Sequence, residues 1–149
     1  MKQIHYQTLP IRYKYQLTKT YTLSVEECPS LMMCIDCIDI NTEFISLLTA
    51  GSIHIKRGYA WDGPSGPSID TDTFMRGSLV HDALYQLIRE GQLQGVCRKP
   101  ADHVIHDLCI YDGMHPFRAW YVLKTLRLFG GFAARPGRVK KKQKQSGRK

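Results

Sequence analysis

Phe74-Met75-Arg76-Gly77-Ser78-Leu79-Val80-His81-Asp82-Ala83-Leu84-Tyr85-Gln86-Leu87-Ile88-Arg89 decides the fold. Leu79, Val80, Ala83, Leu84, Leu87 and Ile88 recur at the three- and four-residue spacing of a helix with a broad apolar face, and Gly91 ends it. Upstream, residues 3–60 read as strands. Ile11 to Leu23 is dense in Tyr, Thr, Leu and Ile, and Leu31 to Ile40 and Phe44 to Leu48 are short apolar runs. After the break at Gly51, Ser52-Ile53-His54-Ile55-Lys56 alternates with period two. Between strands and helix, Trp61-Asp62-Gly63-Pro64-Ser65-Gly66-Pro67-Ser68 holds two Gly and two Pro, and reads as an ordered loop. Downstream, a second helix is expected from Pro100 to about Tyr111 and a third from Pro116 to about Phe129, before Gly130-Gly131. The expected fold class is α+β: a small N-terminal antiparallel β region, an ordered Gly/Pro loop, then three helices with two packed antiparallel.

The chain has 149 residues, 43% of them hydrophobic, enough for one cored domain and too few for two of full size. Its net charge of +8 is unevenly placed. Residues 135–149 carry eight cations and no acid, whereas residues 1–134 carry thirteen of each sign. The expected organisation is therefore a neutral α+β domain over 1–134 and a basic, disordered tail over 135–149. The tail suits phosphates of nucleic acid or anionic lipid head groups, without base-specific readout. No run reaches the roughly 18–20 apolar residues of a spanning helix, and the N-terminus lacks the apolar core of a secretory signal. Five cysteines, an odd number without a secretion signal, argue for free thiols over a disulfide framework. Cys34-Ile35-Asp36-Cys37 has CxxC spacing but no second CxxC, so buried thiols are the expectation there.

The chemistry-bearing residues sit on the first two helices. His81 and Tyr85, four apart, share one helical face, while Asp82 points about 100° away. Asp102 and His106 are likewise four apart on the second helix. If the two helices run antiparallel, Asp102 meets His81 across their interface. A carboxylate on one imidazole nitrogen fixes the tautomer and frees the other nitrogen to act as a base. Tyr85 can donate to the same carboxylate. The competing reading is structural: His81, Asp82, Tyr85 and Asp102 form a buried polar network that fixes helix packing. A transition-metal site from His81, Asp82, Asp102 and His106 is a third reading.

The pattern Trp61-Asp62-Gly63…Gly66, then His81-Asp82-x-x-Tyr85, then Ala101-Asp102, resembles the phospholipase A2 superfamily. The resemblance implies a hydrolase in which His81 activates a water against an ester carbonyl, Asp102 orients His81, and Tyr85 supports Asp102. It also implies calcium held by Asp82 with carbonyls around Trp61, Gly63 and Gly66, and with Asp62. The chain lacks the CGxGG pattern of the usual calcium loop, and its loop is richer in proline. A longer match, Arg57-Gly58-Tyr59-Ala60-Trp61-Asp62-Gly63-Pro64-Ser65-Gly66-Pro67 with His81-Asp82-Ala83-Leu84-Tyr85 and Ala101-Asp102, is similar to a tailed-phage and prophage family of no assigned activity. It implies a phage origin, with location in the host cytoplasm or the virion. The alternative to a hydrolase is a non-catalytic virion or host-interaction protein whose tail contacts nucleic acid. In the third helix Arg118, Lys124 and Arg127 are the only charges, and Trp120 and Tyr121 are amphipathic. It is expected either to cover the rest of the domain or to lie at a lipid interface.

Overall fold

The computed structural model describes residues 3–10, 13–63 and 71–133, with side chains to Gly131. Among the described residues, seven short strands precede three α-helices. The strands are β1 (Tyr6–Thr8), β2 (Tyr15–Leu17), β3 (Tyr21–Ser24), β4 (Ile40–Asn41), β5 (Ile45–Leu48), β6 (Ser52–Ile55) and β7 (Ala60–Trp61). The helices are α1 (Asp72–Arg89), α2 (Arg98–Tyr111) and α3 (Pro116–Ala133). The class is α+β, with antiparallel sheets at the N-terminal end. Residues 64–70, with most of the Gly/Pro loop, and residues 134–149, with the basic tail, lie outside the described residues.

Among the described residues two sheets form, ordered β1-β2-β7 and β3-β6-β5-β4, with antiparallel pairings. Register explains why period two was visible in β6. Ile53 and Ile55 face Leu23 and Tyr21 on one side and Leu47 and Ile45 on the other, and all six are buried. The intervening His54 turns outward, where Thr22 and Ser52 hydroxyls meet its two ring nitrogens, each at 3.1 Å.

The strand reading of Ile11 to Leu23 resolves into β2 and β3, which belong to different sheets. The apolar run Leu31 to Ile40 is not a strand for most of its length. Pro29 starts a 3-10 turn over Pro29–Cys34, and only Ile40–Asn41 pairs as a strand. Proline fixes the helical φ at a first-turn position, and Met32 and Met33 face solvent, so the run lacks the alternation a strand would use.

The α1 helix is the centre of the molecule, buried from Phe74 to Ile88 on all but its Asp82 and Gln86 sides. One face meets the sheets, and another meets α2. The α1–α2 pair runs antiparallel: Arg76 binds Asp112, Gly77 backs onto Ile105 and Cys109, and His81 and Tyr85 meet Asp102. Gly77 permits this approach, since a Cβ there would lie 3.0 Å from Ile105 and 3.2 Å from the Cys109 sulfur. The α2 helix begins two residues before Pro100, which is accommodated in the first turn, where backbone N–H groups have no helical partner. The α3 helix packs through Ala119 and Val122 against Phe74, Ile105, Cys109 and Met114.

Candidate functional site

Helical spacing places His81 and Tyr85 one turn apart on α1, with ring centroids 4.0 Å apart and planes inclined by 38°. Asp102 faces them from the first half of α2. His81 Nε2 lies 3.0 Å from Asp102 Oδ1, and the Tyr85 hydroxyl donates to the same oxygen at 2.6 Å. The other carboxylate oxygen, Oδ2, makes no hydrogen bond among the described residues. It lies 3.8 Å from a guanidinium nitrogen of Arg98, one turn earlier on α2. Asp102 is 0% exposed, and a carboxylate so placed is tolerable only with such company.

The tautomer follows from the acceptor. A carboxylate oxygen accepts, so His81 Nε2 carries the proton in the hydrogen bond, and when the imidazole is neutral Nδ1 is the nitrogen with the lone pair. Burial, reinforced by the bond to Asp102, pushes the Tyr85 hydroxyl far above the ordinary tyrosine range, so it remains a donor. The network is closed on the Tyr85 side by α3. A Cβ on Gly130 would lie 2.5 Å from the Tyr85 oxygen, so only glycine lets the helix pass there. All three members of the trio are buried, with His81 5%, Tyr85 2% and Asp102 0% exposed.

The start of the Gly/Pro loop is tied to α1. Trp61 Nε1 donates to the Ser78 hydroxyl at 3.3 Å, and that hydroxyl donates to the Met75 carbonyl at 2.9 Å. Gly63 has φ of +73°, and a Cβ there would lie 2.6 Å from the Tyr15 ring. This fixes the direction in which the chain leaves β7. Among the residues expected to hold calcium, Trp61 and Gly63 are buried, Asp62 and Asp82 are partly buried, and Gly66 lies outside the described residues. Tyr59 is buried, and its hydroxyl is raised first by burial and then by the field of Asp82. Among the described residues no three His, Cys, Asp or Glu side chains are grouped to hold a metal ion. Carboxylate and carbonyl oxygens are the donor types a hard cation takes, so a calcium site here would draw on backbone carbonyls beside Asp82 or Asp62.

The four-residue transition-metal set does not assemble. His81 is bound to Asp102, whereas His106 Nδ1 lies 2.9 Å from Asp107, the residue beside it. Asp107 in turn accepts from Ser30 and ties α2 to the Pro29–Cys34 turn. The CxxC pair is split, with Cys34 buried and Cys37 exposed, and all five cysteines are free.

Two participants were not anticipated. Arg98 lies four residues before Asp102, a helical spacing hidden by the expectation that α2 starts at Pro100. Arg76 lies among the apolar residues of α1 and forms a bidentate pair with Asp112, at 2.9 and 2.7 Å. A cation at a core-facing helix position was the available signal.

Comparisons with family models, with curated proteins and with solved structures return no match.

Proposed function

We propose that this chain is a hydrolase of the phospholipase A2-like type, using His81 as the base that activates water against a lipid or other ester. The observation supporting it is the hydrogen bond from His81 Nε2 to Asp102, shared with Tyr85, which leaves Nδ1 as the free basic nitrogen. In the proposed step a water lies against Nδ1, gives it a proton, and its oxygen bonds to the ester carbonyl carbon. The tetrahedral intermediate then breaks the ester C–O bond, and the departing alcohol takes the proton back from His81. Asp102 stabilises the imidazolium between these transfers, and Tyr85 with Arg98 holds Asp102 in place. Calcium, held by Asp82 or Asp62 with loop carbonyls, is proposed as a cofactor that would polarise the ester carbonyl when bound.

A second reading has a specific observation in its favour. The near-complete burial of His81 and Asp102 suits a polar network that fixes helix packing in a non-catalytic virion or host-interaction protein. Under either reading we propose a phage protein of the host cytoplasm or virion, with a tail that contacts nucleic acid non-specifically. No helix among the described residues is long and apolar enough to cross a membrane.

The two readings separate in one experiment. Wild type and His81→Gln are assayed on a soluble monomeric ester and on phospholipid vesicles, with and without calcium, alongside melting temperatures. The hydrolase reading expects turnover that falls about 10²- to 10⁴-fold in His81→Gln. Absence of turnover above that of the variant on every ester would leave the structural reading in possession.

A further inference from the structure

The α3 helix has two apolar faces, and the described residues pack against only one. Ala119, Val122, Leu126 and Gly130 turn inward onto α1 and α2. On the opposite side, Phe117 is 70% exposed, Trp120 49% and Leu128 77%, with Tyr121 exposed beside them. At 100° per residue these four fall within about one third of the helix circumference. The Phe117 and Trp120 rings stack at 5.9 Å, so their apolar surface is presented as one patch. A monomeric protein rarely leaves such a stripe without a partner.

The charges beside the stripe identify the partner. Arg118, Lys124 and Arg127 are the only charged residues of α3, and no acid lies between Pro116 and Lys149. Lys124 sits over the Trp120 ring at 5.7 Å, a long cation rising from the middle of the aromatic patch. The chain that follows α3 adds eight more cations. A second copy of this surface would place these like charges opposite one another. An anionic bilayer accepts both features at once: aromatic and leucine side chains enter the headgroup–acyl boundary while the cations remain among the head groups.

We propose that the outer face of α3, bearing Phe117, Trp120, Tyr121, Lys124 and Leu128, docks on an anionic lipid surface with the helix lying in its plane. The proposal does not rest on the hydrolase reading, since it concerns the side of α3 turned away from Tyr85.

The experiment uses the full chain and vesicles of phosphatidylglycerol with phosphatidylcholine, against phosphatidylcholine alone. Binding is read by co-sedimentation and by the emission of Trp120, with Trp120→Phe supplying the baseline due to buried Trp61. The expected result is a blue shift and partition onto the anionic vesicles only. Partition should fall at least tenfold in the triple variant Phe117→Ser, Trp120→Ser, Leu128→Ser, with circular dichroism unchanged because these side chains are exposed. Replacing Lys124 and Arg127 by Gln should weaken partition and reduce its salt dependence. Equal partition of wild type and triple variant, or an unshifted emission on binding, would assign the attraction to the tail alone and overturn the proposal. A dimer seen by sedimentation that the triple change dissociates would make a second copy the occupant, and would overturn it too. Hydrolysis of a soluble ester is a separate readout, so failure of docking and failure of the hydrolase reading are told apart.

Discussion

Arg76 is the residue whose environment departs furthest from its type. It is buried in α1, carries a full charge, and satisfies it with both oxygens of Asp112, just past the end of α2. The Tyr111 ring covers its guanidinium at 5.1 Å. Burial raises the Asp112 carboxyl, and Arg76 pulls it part of the way back. A pair of this kind contributes little beyond what a packed apolar pair would, but losing one partner strands the other charge in the core. Arg76→Met alone is therefore expected to destabilise the protein by about 3–5 kcal/mol, and Arg76→Met with Asp112→Leu to recover most of that loss. Chemical denaturation of the single and double variants measures both. A single variant within about 1 kcal/mol of wild type would show that the pair does not hold the helices together. Asp102 solves the same problem differently, using a phenol, an imidazole and a more distant guanidinium. The grouping of His81, Tyr85 and Asp102 was legible residue by residue, because the four-residue spacing of His81 and Tyr85 and the antiparallel run of α2 bring them together. Arg98 was not, because its role depends on where the first turn of α2 begins.

Among the elements, α3 shows where pattern reading stops. Gly130-Gly131 reads as a helix end, yet the helix continues to Ala133. Glycine is present because of the neighbour it faces, which a sequence does not reveal. An opposition of two magnitudes makes this testable. Alanine within a helix gains about 0.5–1 kcal/mol over glycine, but a Cβ 2.5 Å from the Tyr85 oxygen costs about 1–3 kcal/mol of overpacking. Gly130→Ala is expected to lower the melting temperature in wild type. In a Tyr85→Phe background the nearest remaining ring atom is Cζ at 3.4 Å, an ordinary contact, and the same change should then raise it. A substitution whose sign does not depend on Tyr85 would mean that α3 does not close over the network. The strands taught a related lesson. Alternation in β6 was reliable because one face is buried and the other wet, whereas Leu31 to Ile40 is apolar without alternation and folds mostly as a 3-10 turn and irregular chain.

At the scale of the whole molecule, acidic groups that the core keeps neutral set its alkaline limit. Burial pushes the Cys28 thiol up to about 11, and those of Cys34 and Cys109 to about 12. The Tyr21 phenol is likewise raised to about 12, with Arg76 opposing the shift. Below about pH 9 folded and unfolded chains both hold the thiol protons, and their contribution to stability is complete. Between about 9 and about 12 the unfolded chain gives up protons that the folded chain keeps, so stability falls as pH rises. Melting temperatures should therefore decline from about pH 9 upward, and Cys28→Ala with Cys109→Ala should flatten that decline. A flat profile to pH 11 in wild type would mean that these thiols are not held in the core.

The interlocking of sheets and helices also has a consequence in time. Leu17, Leu23, Ile45, Ile53 and Ile55 are buried in one core with Leu79, Val80, Leu84 and Leu108 of the first two helices. The strands leave the ribosome first, and about fifty residues separate Trp61 from the end of α2, so at 5–20 residues per second their apolar faces wait roughly 3–10 s for cover. During translation the nascent β region thus exposes apolar surface of the kind chaperones bind, and that exposure ends only when α1 and α2 arrive to shut it in.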